Sequence, residues 1–318
     1  MVSRLAAATL AAIMCCAHGA SAKQLPVGVT TLTFTKASVT THQPRALATT
    51  IWYPAVKRTG TAETYGLRDA KAKRGRFPLI VFSHGTCGRP TEASYLTMAL
   101  VRAGAIVAAP AHAGNTTDDG PSCLGSDVFI DSALNREPDV AFVIDSMLAE
   151  AGNKTSRFAR RIDEDAIGVT GLSFGGFTAL LTAQLDPRVD AALAMVPGGS
   201  ATLATIGVPT MVIGSERDAV VGYRESELVY AKLAGPRYLI ELLGANHLSV
   251  VDDCAHGLAN LNLCVPTDIP QDEAHRLVLN YAVPFFRRYL LSKKRATVRA
   301  ADKALTTPID GVVLTTEP

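Results

Sequence analysis

The feature of this chain with the most chemical content is a serine set between glycines, Gly171-Leu172-Ser173-Phe174-Gly175. An apolar run, Ile167-Gly168-Val169-Thr170, leads into it, and Gly176-Phe177-Thr178-Ala179 leads out as an apolar helix start. Strand, turn and helix in that order make the pentapeptide a nucleophile elbow, from which the serine hydroxyl projects above a sheet. Gly171 and Gly175 suit such a turn because backbone crowds backbone there and leaves no room for a Cβ. Ser173 would also stand at a helix N-terminus, whose free N–H groups can face a developing oxyanion. The plainer alternative is a Gly/Ser loop joining a strand to a helix.

A serine hydroxyl is a weak nucleophile at neutral pH, so it needs a general base, and the base needs an orienting carboxylate. An elbow serine finds them later in the chain, acid before histidine, in loops that follow strands. The run Thr210-Met211-Val212-Ile213 passes into Gly214-Ser215-Glu216-Arg217-Asp218, and Tyr238–Leu243 passes into Gly244-Ala245-Asn246-His247. Asp218 is the expected acid and His247 the expected base. Glu216 competes for the first role on proximity, and His256 and His275 compete for the second. Only His247 directly follows a strand. Two backbone donors are expected to hold the oxyanion: the N–H of Phe174, and that of Thr86 in the loop Ser83-His84-Gly85-Thr86-Cys87-Gly88. His84 is expected to shape that loop, and His112, in Ala111-His112-Ala113-Gly114-Asn115, to border the pocket.

The elements that must position these groups are legible as apolar periodicities. Val27–Lys36 and Ala46–Tyr53 read as an antiparallel opening hairpin. The continuous apolar run at 78–82 and the run at 105–109 read as strands buried on both faces, and 166–171, 189–196, 209–213 and 238–243 complete the strands. A helix is expected at about 91–103. Val140, Val143, Ile144, Met147 and Leu148 give another, with Pro138 in its first turn and Gly152 at its end. A final helix places Val278, Tyr281, Ala282, Phe285, Phe286 and Tyr289 on one face and kinks at Pro284. Strands alternating with helices imply an α/β fold with a mostly parallel sheet covered on both faces. Residues 57–77 read as a loop, and the polar tail 293–318 is left unassigned.

Residues 1–22 are expected to stand outside the fold. Arg4, an apolar Leu5–Cys16 and Ala20-Ser21-Ala22 make a secretory signal peptide cleaved after Ala22, too short for a membrane span. A lipoprotein signal through Cys15 or Cys16 fits less well, because Ile13-Met14 lacks the small residues that precede a lipidated cysteine. The protein is then secreted or periplasmic, with one domain over 23–318 and its core at about 45–292. The chain has 31 Lys and Arg against 29 Asp and Glu, and losing Arg4 leaves a net charge of +1. That balance offers nothing to nucleic acid; the basic cluster at 287–295 reads as a solvated helix end. Nothing later in the chain resembles a transmembrane segment. Four cysteines remain after the leader, enough for two disulfides in three pairings; Cys87–Cys123 and Cys254–Cys264 are favoured. No CxxC or HxxxH spacing suggests a metal. Asn115-Thr116-Thr117 and Asn153-Lys154-Thr155 match the glycosylation sequon. The sequence leaves the oligomeric state open.

With these residues in view, the chain resembles the α/β-hydrolase superfamily over roughly 45–292. The likeness is to secreted bacterial dienelactone-hydrolase-like and platelet-activating-factor-acetylhydrolase-like serine esterases. It is carried by Val81-Phe82-Ser83-His84-Gly85, Ala108–Asn115, Arg136-Glu137-Pro138-Asp139-Val140 and Gly171–Gly176. True dienelactone hydrolases carry cysteine where this chain has Ser173, which favours ordinary ester hydrolysis. The resemblance implies an α/β-hydrolase fold and two-step acyl transfer on a small-molecule ester of small to medium acyl chain, with no cofactor. A serine peptidase or amidase, and a cutinase-like polyester hydrolase, are the alternatives on the same scaffold. A secreted binding protein that has lost catalysis is the alternative of another class, and the filled positions 173, 218 and 247 speak against it.

Overall fold

The computed structural model describes residues 25–57, 59–253, 265 and 267–318. The expected signal peptide, the Cys254–Cys264 pairing and His256 lie outside the described residues. Among the described residues eleven strands form one sheet: β1 (Val27–Ala37), β2 (Pro44–Pro54), β3 (Thr61–Glu63), β4 (Gly66–Arg68), β5 (Phe77–Ser83), β6 (Ile106–Pro110), β7 (Ile162–Leu172), β8 (Ala191–Met195), β9 (Thr210–Ser215), β10 (Arg237–Leu242) and β11 (Val312–Glu317). Their spatial order is β11-β10-β9-β8-β7-β5-β6-β2-β1-β4-β3. From β6 to β10 every neighbouring pair is parallel, while β1 and β2 pair antiparallel at one side and β11 pairs antiparallel with β10 at the other.

Strands β6 and β8 are apolar throughout, and β5 is apolar up to Ser83, because both of their faces are covered. Ile80 and Phe82 of β5 point into a core with Leu96, Leu100, Tyr281 and Phe285. Leu79 and Val81, one residue out of phase, point into the opposite core with Val143, Ile144, Met147 and Leu180. Helices α1 (Ser94–Ala103) and α5 (Gln271–Phe286) cover the first face; α2 (Ser126–Gly152), α3 (Phe174–Leu185) and α4 (Tyr223–Tyr230) cover the second. The α5 helix contains Pro284 and continues into a π-helical turn over Arg287–Leu291.

Two expectations are corrected, and the tail that the sequence left unassigned takes on structure. Residues 57–77 are not a bare loop, since β3 and β4 form a small hairpin whose second strand adds parallel to β1. Ala70 and Ala72 are buried beneath it, and the Trp52 indole donates to Tyr65 O. The second helix begins at Ser126, not at Pro138, which lies in its interior. The tail is ordered: helix α6 (Arg295–Thr306) packs against α5, and β11 closes the edge of β10.

Candidate active site

Ser173 sits between the end of β7 and the start of α3 with φ 54° and ψ −122°, a conformation that L residues rarely adopt. The surrounding contacts show why the flanking residues are glycines. A Cβ on Gly175 would come within 1.9 Å of Ser83 O, and one on Gly171 within 2.3 Å of Gly175 O. The turn therefore presses against the end of β5 and holds the serine in its strained conformation. The Ser173 N–H donates to Met195 O at the end of β8, fixing the elbow from the other side.

His247 and Asp218 meet this serine from loops after β10 and β9. His247 Nε2 lies 2.9 Å from Ser173 Oγ, and Nδ1 lies 2.7 Å from Asp218 Oδ2. The other oxygen of Asp218 accepts the N–H groups of Val220 and Val221, each at 2.9 Å. Burial works to raise the Asp218 pKa, but the hydrogen bond and charge of His247 and the two N–H donors outweigh it and hold the carboxyl below its ordinary value. A carboxylate on Nδ1 leaves Nε2 free to accept the serine proton. Glu216 turns elsewhere, accepting the Gly244 N–H at 2.7 Å. His275 stacks on Tyr95 with centroids 3.8 Å apart and bonds Val251 O at 2.7 Å, away from the serine.

The loop after β5 is held by a buried polar network. Arg136 of α2, fully buried, donates to His84 O (2.6 Å), Gly85 O (3.0 Å) and Asn115 Oδ1 (2.7 Å). His84 Nδ1 lies 2.8 Å from Gly85 O, and its Nε2 accepts the main-chain N–H of His112 at 3.1 Å. Those partners require a neutral His84 with its proton on Nδ1. Burial, Arg136 and His112 all push its pKa well down, in agreement. The Gly85 N–H donates to Glu92, whose pKa burial pushes up to about 7. The Cys87–Cys123 disulfide ties the same loop to the 3₁₀ turn over Thr117–Leu124, and Thr117 Oγ1 donates to Cys87 O at 2.7 Å. Thr86 is the partly exposed residue of this buried stretch, and among the described residues its N–H has no hydrogen-bond partner.

Within that network lies a second Ser–His–Asp chain. His112 Nε2 is 2.9 Å from Ser83 Oγ and Nδ1 is 3.0 Å from Asp139 Oδ2. The Asp139 carboxylate also receives Arg45 Nε, at 3.0 Å from each oxygen. All three members are at most 1% exposed, whereas Ser173 is partly open to solvent. Burial and the charge of Arg136 push the His112 pKa to about 4 despite Asp139. Sequence reasoning had His112 bordering a pocket; the structure seals it inside, as it does His84. It also passed over Arg136, Asp139 and Glu92 as network members. The available signal was helical spacing of polar residues, Ser132, Asn135, Arg136 and Asp139, all buried.

A six-stranded parallel core sheet, antiparallel strands at its sides, and a nucleophile elbow between strand and helix are the features of an α/β-hydrolase fold. A family model described as PET hydrolase-like matches residues 123–263, a stretch that includes Ser173, Asp218 and His247. Cutinase est2 of Thermobifida alba is 28% identical over 130 residues, 40% of this chain and 42% of that protein. The aligned part thus spans less than half of that relative. A solved ferulic acid esterase from Streptomyces cinnamoneus superposes with a TM-score of 0.69 at 19% identity, covering 95% of this chain and 98% of that one, and shares the fold.

Proposed function

We propose that this protein is an exported serine hydrolase that cleaves carboxylic esters through an acyl-enzyme. The observation that carries the reading is the hydrogen-bonded line from Asp218 through His247 to a partly exposed Ser173 on a strained elbow. Ser173 Oγ attacks the ester carbonyl while His247 Nε2 takes its proton, and Asp218 stabilises the imidazolium. The N–H groups of Phe174 and Thr86 receive the oxyanion; Phe174 opens α3, so its N–H has no partner within the helix. His247 then returns the proton to the leaving alkoxide, and a water attacks the acyl-enzyme by the same route. The residues acting in these steps are protein groups alone. A disulfide next to the oxyanion loop supports an oxidising compartment, as export through residues 1–22 would supply.

The test is hydrolysis of p-nitrophenyl esters from acetate to palmitate by the mature protein and by Ser173→Ala. Turnover that the substitution abolishes is the expected result, with an optimum at short to medium chains. Two folded proteins that hydrolyse no ester would overturn the reading. An insoluble polyester is the second reading for the substrate, favoured by the PET hydrolase-like and cutinase matches. It predicts release of soluble acid from a polyester film.

A further inference from the structure

The loop that carries Thr86 is built against one carboxylate. Glu92, just before α1, accepts the Gly85 N–H on Oε2 at 2.8 Å. The turn from Gly85 to Gly88 is closed by the Gly88 N–H on Gly85 O at 3.2 Å. Its far end meets the same carboxylate, since a Cβ on Gly88 would come within 2.5 Å of Glu92 Oε2. Arg136 donates to His84 O and to Gly85 O. The His84–Gly85 peptide is therefore held between opposite charges, its N–H toward Glu92 and its carbonyl toward Arg136, as the peptide dipole favours. The next peptide also gives its carbonyl, Gly85 O, to Arg136, and in a trans peptide the N–H points opposite to the carbonyl. That N–H belongs to Thr86 and has no partner among the described residues. Glu92 is anchored in turn from the side of the catalytic histidine. Its carbonyl accepts the N–H of Asp252, in the segment that follows His247, at 2.8 Å. The Asp252 carboxylate receives the N–H groups of Ser94 and Tyr95 at the start of α1.

We propose that Glu92 is a positioning residue for the oxyanion: its ionised carboxylate, together with Arg136, aligns the peptides on either side of Gly85 and so turns the Thr86 N–H toward the substrate. The inference rests on the esterase reading above. Stability alone does not explain a charge at this place. Burial pushes the Glu92 pKa up to about 7, with the Gly85 N–H, Arg136 and Arg89 favouring the charge and Asp252 opposing it. A carboxyl whose folded pKa is raised loses stability as the pH rises through that value, so the ionised form weakens the fold. An amide of the same shape keeps an acceptor for the Gly85 N–H and escapes this cost. It no longer draws the peptide dipole and the Arg136 guanidinium into line.

The test is Glu92→Gln at pH 8, where activity and stability should move in opposite directions. For p-nitrophenyl acetate kcat should fall roughly ten-fold, a part of the roughly 10²- to 10³-fold that loss of a whole oxyanion donor costs. KM should stay within about two-fold, and the urea midpoint should rise. The wild type should lose the same factor in kcat as the pH falls through about 7, in addition to the loss on protonation of His247. The variant should show the His247 limb alone. A kcat and pH profile equal to those of the wild type overturn the inference. So does a kcat that falls together with the urea midpoint, since Glu92 would then only hold the loop folded. Nitrogen–proton correlation spectra of the inert Ser173→Ala protein give a readout free of turnover. The Gly85 and Thr86 amide signals should shift with an apparent pKa near 7, and adding Glu92→Gln should remove that step from both. A step that the substitution removes supports the alignment even if no ester is hydrolysed. Signals that Glu92→Gln leaves unchanged detach Thr86 from Glu92 even if the esterase reading stands.

Discussion

Acidification should unfold this protein partly through one buried histidine. His112 is fully buried, its Nδ1–H serves Asp139 and its Nε2 accepts from Ser83, so the native state requires the neutral ring. Arg136 and Arg45 oppose a further positive charge there, and Asp139 favours it; burial decides the balance and the pKa falls to about 4 from 6.5. The unfolded chain binds the proton more readily than the native one between these values. The resulting stability is therefore complete above pH 6.5, declines as the pH falls, and is gone below 4. Integrated over the shift, the loss is about 2 kcal/mol by pH 5 and about 3 kcal/mol by pH 4. The assay is urea denaturation of the wild type and of His112→Gln at pH 7.5, 5 and 4, the amide of glutamine keeping one donor and one acceptor but no titration. Glu92, pushed up to about 7 by burial, acts in the opposite direction, weakening the fold as the pH rises, and it cancels in the comparison at each pH. The advantage of the wild type over the variant should shrink by the amounts given. An advantage that stays constant from pH 7.5 to 4 would refute a neutral, buried His112.

Asp218→Asn should reduce kcat by roughly 10³- to 10⁴-fold, because an amide on Nδ1 no longer stabilises the imidazolium. Glu216→Gln, whose amide oxygen still accepts the Gly244 N–H, should leave kcat near wild type. The reverse pattern would transfer the acid role to Glu216. Removing the Cys87–Cys123 bridge by paired serine substitution releases a 36-residue closure and should cost about 4 kcal/mol on the chain-entropy account, read as a lower urea midpoint. A midpoint equal to that of the wild type would mean that the hydrogen bonds around Asn115 and Thr117 hold the loop alone.

The parts legible in the sequence are those whose local pattern and tertiary setting agree. Apolar runs at β5 to β10 read as buried strands because helices cover both faces, and Gly171 and Gly175 mark a crowded turn because nothing larger fits. The loops after β9 and β10 show Asp218 and His247 for a similar reason: strand ends are where a parallel sheet presents side chains. The first half of α2 was not legible, since its apolar stripe faces solvent and its polar stripe faces the core, the reverse of the usual rule. A reading that seeks a buried apolar face starts the helix only at Pro138. The β3 and β4 strands were hidden by their length, three residues each, and by partners that lie far off in sequence. Strand β11 alternates correctly, but its polar Thr315-Thr316-Glu317 end reads as tail until β10 is known to lack a neighbour.

The two Ser–His–Asp chains show why residue types and distances alone do not define an active site. Ser83–His112–Asp139 has oxygen-to-nitrogen separations within a few tenths of an ångström of those at Ser173–His247–Asp218. Ser83, however, ends a strand in ordinary extended backbone, is sealed from solvent, and receives Arg136 Nη1 at 3.3 Å. Its hydroxyl has one proton, already committed to His112, and the residue is buried away from solvent. Arg136 occupies a lone pair of the serine oxygen, and a histidine of pKa about 4 is a weak general base that disfavours the imidazolium. At Ser173 the positive φ lifts the side chain out of the sheet, and no cation contacts it among the described residues. The buried chain is tied to the loop after β5 through Arg136, which donates to Ser83 Oγ and to the His84 and Gly85 carbonyls. One set of three residue types thus serves as buried scaffold in one place and as the proposed reaction centre in another, and the difference lies in backbone conformation and access to solvent.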